Sequence, residues 1–180
     1  MYDETLKLVC SVPSRFSLSR LPHRLEKMFR RLARTADVEE AEALQDMIWN
    51  CWMRHGEQRA VSDLEGATRA IVARDFAAAE RMLKRLAAVH PDLPEVWNKQ
   101  ATLYYMKVEE EPCVRAIHRT LQLEPRHFGA ICAFAEILLG RGERAQALFA
   151  FDIALRVNPH LPLVRVEAEK LIRERPPLAH

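Results

Sequence analysis

The 180-residue chain sets 27 Lys and Arg against 25 Asp and Glu, a formal charge of +2, and 49% of its residues are hydrophobic. Such a composition excludes a disordered chain and a strongly basic nucleic-acid binder, and this length supports a core without disulfides. The longest stretch free of Asp, Glu, Lys and Arg runs only from His127 to Ala135, against the roughly 20 apolar residues that span a bilayer.

At the N-terminus, Asp3 and Glu4 stand where an export signal carries positive charge, and Leu8 to Ser14 is too short and polar for a signal core. A cytoplasmic location is the expectation. Residues 1–36 read as a basic amphipathic segment. Leu21, Leu25, Met28, Phe29 and Leu32 follow helical spacing opposite Arg20, Arg24, Lys27, Arg30, Arg31 and Arg34, and residues 15–34 carry a local charge of +6. The following segment, 37–59, is acidic, and residues 37–57 carry −5. Asp37 and Glu40 have capping-box spacing, Leu44, Met47, Ile48, Cys51 and Trp52 are apolar, and Gly56 is a helix stop, so a helix is expected from 38 to about 54. The two segments suit an antiparallel helix pair of complementary charge, with Trp49 and Trp52 against the first of the repeats that follow. The alternative is that the basic helix meets an anionic membrane surface; nucleic acid is unlikely, because no aromatic-interleaved or groove-reading motif is present.

Pro91, Pro125 and Pro159 recur at a spacing of 34 residues. In the same register Ala67, Ala101 and Ala135 form one column of small residues, and Ala79, Cys113 and Ala147 another. Leu83, Ile117 and Phe151 form a large apolar column, as do, mostly, Ala70, Tyr104 and Leu138. Small residues let two antiparallel helices approach and the large residue fills the space beside them, while each proline ends the second helix. Pro94 and Pro162 fall at the first helical position, where a missing amide hydrogen is harmless.

These columns resemble the tetratricopeptide repeat, with repeats at 60–93, 94–127 and 128–161. The third matches best, with Gly142 in its hairpin turn; the second has Val108 there, which predicts an irregular turn. The first has Asp63 and Gly66 where apolar residues are usual, which predicts different packing of its first helix. The strings Trp97-Asn98-Lys99-Gln100-Ala101-Thr102 and Glu124-Pro125-Arg126-His127-Phe128-Gly129-Ala130 are similar to a bacterial and plastid group of such proteins. The resemblance implies an all-α, right-handed solenoid of helical hairpins, preceded by N-terminal helices and closed by a capping helix in 162–180.

Cys10, Cys51, Cys113 and Cys132 and the seven histidines show no metal-ligand or redox spacing, so neither metal nor cofactor is expected. No phosphate loop, nucleophile elbow or paired-carboxylate arrangement appears, and Glu109-Glu110-Glu111 reads as a solvated loop. Catalysis is not expected. By the repeat register, the first helices line a concave groove. Asn98, Lys99, Thr102, Tyr105 and Met106 of repeat two and Cys132 and Glu136 of repeat three are its candidate peptide-contacting residues, beside Glu95, Gly129, Ala133, Leu139 and Gly140. The functional expectation is a non-enzymatic adaptor binding a protein or peptide segment. The alternative is a membrane-associated or assembly factor that acts through the basic helix, its repeats serving as spacer or self-association surface.

Overall fold

Three turns, 34 residues apart, share one backbone geometry and set the architecture. Arg74, Val108 and Gly142 have φ of 59°, 60° and 80°. Each amide bonds a carbonyl three residues back, to Ile71, Tyr105 and Leu139, and the next amide reaches five back, to Ala70, Tyr104 and Leu138. The turn at Val108 is therefore regular, correcting the expectation: a valine is held in the left-handed region that glycine adopts freely.

The computed structural model describes residues 1–15, 23–53 and 58–174; Arg20, Leu21, Arg54, Gly56 and the tail 175–180 lie outside the described residues. Among those described there are ten helices: α1 (Tyr2–Arg15), α2 (His23–Leu32), α3 (Val38–Met53), α4 (Gln58–Val72), α5 (Phe76–Val89), α6 (Pro94–Met106), α7 (Glu110–Leu123), α8 (Phe128–Gly140), α9 (Arg144–Val157) and α10 (Pro162–Arg173). Consecutive pairs α4–α5, α6–α7 and α8–α9 pack as hairpins and stack into a solenoid closed by α10. Ala67, Ala79, Ala101, Cys113, Ala135 and Ala147 are all buried, so the small columns are the lines of closest helix approach. In α4, Ala60, Leu64, Ala67 and Ile71 make an ordinary buried stripe, and the Met82 side chain lies against Gly66. The first hairpin thus packs like the others despite Asp63 and Gly66.

The N-terminal helices add two features. α1 lies on the outer helices α7 and α9, with Val9 and Val12 buried and Thr5 Oγ1 3.1 Å from His118 Nδ1. At its start the Tyr2 hydroxyl donates to Glu110, and the Arg141 guanidinium lies over the Tyr2 ring while bonding the same carboxylate at 3.0 Å. The packing face of α1 is Tyr2, Leu6, Val9 and Val12, spaced by four and three residues. α2 and α3 form the expected antiparallel pair: Leu25, Met28, Phe29 and Leu32 are buried, and Arg31 pairs with Glu40. The capping box is half formed. Asp37 accepts the amides of Glu39 and Glu40, but the Glu40 carboxylate accepts from Thr35 and Arg31 instead of returning to the cap.

Candidate binding groove

The pair α2–α3 sits against the turn linking repeats two and three, and this contact determines which part of the solenoid remains open. Trp52 stacks on His127, ring centroids 4.1 Å apart, and touches Phe128; Trp49 meets both rings edge-on. The tryptophans are core, but their ring partners are at the 127–128 turn rather than in repeat one. Gly129 lets Trp49 approach closely: a Cβ there would lie 3.1 Å from the ring, which would have to shift by a few tenths of an ångström. Beneath the rings lies a buried polar layer. The Ala130 amide donates to His127 Nδ1, so the ring proton sits on Nε2 and donates to Glu95 at 3.0 Å. Glu95 also accepts from Asn98 Nδ2 at 3.1 Å and pairs with Lys99 at 3.2 Å. Burial by itself would push the Glu95 carboxyl up, but the His127 hydrogen bond, the Lys99 charge and the Asn98 amide outweigh it and hold it below the usual carboxylate range. Beside it Arg126, over the Phe29 ring, is clamped to the buried Glu124 carboxylate. Asn98 and Lys99 of the first string and Glu124, Arg126, His127 and Phe128 of the second thus meet in one inter-repeat joint, while Trp97 and Gln100 bond Pro91 and Leu83 of repeat one.

Of the seven expected contact residues, this joint holds Asn98 and Lys99, and three others are engaged within the fold. Asn98 is 8% exposed and its amide faces Glu95; Lys99 is tied to the same carboxylate, with its ammonium 6.0 Å from the Trp49 ring centre. Met106 packs on the repeat-one core, and Thr102, though exposed, turns its hydroxyl back to the Asn98 carbonyl at 3.2 Å. Cys132 is half-buried against the main core, where burial pushes its thiol up to about 12. A thiol so protonated is a poor nucleophile. The first turns of α6 and α8 are filled by the chain's own α3.

Their last turns are open. Tyr105, Glu136, Leu139 and Gly140 line a cleft of about 540 Å³ completed by Phe151 of α9 and Leu163, Val164 and Glu167 of α10. It continues over Tyr105 and Glu136 to Val108, Glu109 and Glu110. Tyr105 is 52% exposed and Leu163 84%. Tyr105 and Glu136 line both clefts, and partial shielding from water pushes the Glu136 acid up. The α10 residues were missed because that helix reads as a cap. Extending the 34-residue register one helix further puts Leu163 and Glu167 at groove positions, which was the available signal.

The fold agrees with what this chain is similar to. No family model matches it. A TPR repeat-containing protein of Rhizobium etli (strain CFN 42) is 30% identical over 148 residues, covering 82% of this chain and 72% of the relative. The chain belongs to the tetratricopeptide-repeat proteins. As a TPR protein it has a repeat architecture suited to holding other proteins, with its exposed apolar and acidic groups along the first-helix face of repeats two and three. Among the described residues no helix is long and apolar enough to cross a membrane, and no group of three His, Cys, Asp or Glu side chains is placed to hold a metal ion.

Proposed function

We propose that this TPR protein is a non-enzymatic scaffold that seats a segment of another protein in the open half of its groove, between the last turns of α6 and α8 and the first turns of α10. The observation that carries the reading is the cleft itself. Its wall is apolar and solvent-facing at Tyr105, Leu139 and Leu163, and a monomer gains nothing by leaving such a contiguous surface bare. Of the residues proposed from sequence, Tyr105 and Glu136 would make direct contact, Thr102 would border the site, and Asn98 and Lys99 would act through Glu95 as positioning residues.

The alternative, insertion of the basic helix into a membrane surface, is less well supported, because the apolar face of α2 is buried on α3 and its neighbours. Lys27, Arg30, Arg31 and Arg34 do line a shallow basic cleft, but Arg30 and Arg31 are paired with Glu26 and Glu40. Site-specific photocrosslinking in the native cell tests the proposal. A photoreactive residue at Tyr105 should yield protein adducts, while one at the outward Arg85 should not. Adducts arising only from Lys27 would refute it and favour the basic helix.

A further inference from the structure

The two connected clefts are lined by Glu109, Glu110, Glu136 and Glu167, and among the described residues no Lys, Arg or His lines them. Three of these carboxylates already have cations nearby: Glu109 meets Lys107 at 2.9 Å, Glu110 meets Arg141 at 3.0 Å and Glu167 meets Lys170 at 3.5 Å. Among the described residues, Glu136 has no cation within 4.0 Å. The Glu136 side chain is exposed in the cleft, with partial shielding that pushes its acid up and no opposite charge beside it. An unpaired carboxylate where two cation-free clefts meet is electrostatically complementary to an arriving cation. On one side lie Leu139, Leu163 and Val164, which suit an aliphatic side chain.

We propose that the occupant is a protein segment bearing a lysine or arginine that pairs with Glu136 and an adjacent aliphatic side chain that packs on Leu139 and Leu163. This rests on the groove reading above. A random-peptide display selection against the full chain, followed by calorimetric titration of synthetic peptides from it, tests both levels. Selected peptides should carry Lys or Arg beside Leu, Ile or Val. Glu136→Lys should weaken them about tenfold or more, Glu136→Gln less, and changing the peptide cation to Glu should restore binding to the Glu136→Lys variant. Thermal melts of both variants should match the parent, since Glu136 lies outside the core columns. If Leu163→Asp abolishes binding while Glu136→Lys leaves it unchanged, or if the selected peptides lack a basic residue, the cation inference is wrong and the groove stands. Peptides indifferent to both substitutions, or a selection that enriches none, would overturn the groove reading and the inference with it.

Discussion

Asn98→Ala separates a groove residue from a structural one. On a free groove face the change would be silent for folding. In the structure the Asn98 side chain is 8% exposed and its amide donates to the Glu95 carboxylate at 3.1 Å. A hydrogen bond to a charged group contributes about 1.5–3 kcal/mol. The gain in helix propensity on going to alanine returns roughly 0.5 kcal/mol. The net loss is then about 1–2.5 kcal/mol, and at about 2–4 °C per kcal/mol for a domain of this size the melting temperature should fall by about 2–10 °C. Asn98→Asp should be worse, because it sets a second carboxylate against a buried one. Tyr105→Ala, at a half-exposed position, should move the melt by far less while impairing partner capture. Circular-dichroism melts at neutral pH distinguish these outcomes. If Asn98→Ala melts with the parent, the amide is not held by Glu95, and the assignment of Asn98 and Lys99 to the joint is wrong.

The same layer predicts an acid response. Because the folded-state acid of Glu95 is depressed, its contribution to stability is present above the ordinary carboxylate range and lost as pH falls through the folded value, so the parent should lose more stability than Glu95→Gln between neutral and strongly acidic pH in urea titrations. Val108→Gly should stabilise the protein. The side chain is 89% exposed, so little burial is lost, and relief of a left-handed β-branched residue, about 1–2 kcal/mol, exceeds the added freedom of the unfolded chain, about 0.5–1 kcal/mol; a lowered melting temperature would contradict this. At the joint, Trp52→Ala should cost about 3–5 kcal/mol, whereas Trp52→Phe should cost much less, because the indole N–H is buried with no acceptor among the described residues and its removal offsets part of the lost packing. Equal denaturation midpoints for the two variants would exclude that compensation. Replacing Ala135 or Ala147 by Leu should overpack a closed hairpin by about 1–3 kcal/mol, and an unchanged melt in both would contradict the register.

The hairpins and their register follow from short-range rules. Prolines at 91, 125 and 159 stop helices, Pro94 and Pro162 start them, and small residues at fixed positions let paired helices close. These constraints act within a few turns, so periodicity alone carries the hairpins, the solenoid and the helix at 38. The exposure of a given face has a different origin. Lys99 and Gly129 occupy groove positions in the register, yet Trp49 lies over both, contributed by a helix 50 and 80 residues earlier in the chain. Glu95 looks like any first-turn acid until His127, 32 residues away, closes over it. The N-terminal helix α1 is held on α7 and α9 by contacts such as Thr5 with His118, across 113 residues. Local sequence fixes helices and register because backbone bonds and side-chain spacing are local. Only the tertiary structure decides which half of the groove is filled by α3 and which is left open at Tyr105 and Glu136, because burial depends on which distant segment packs there.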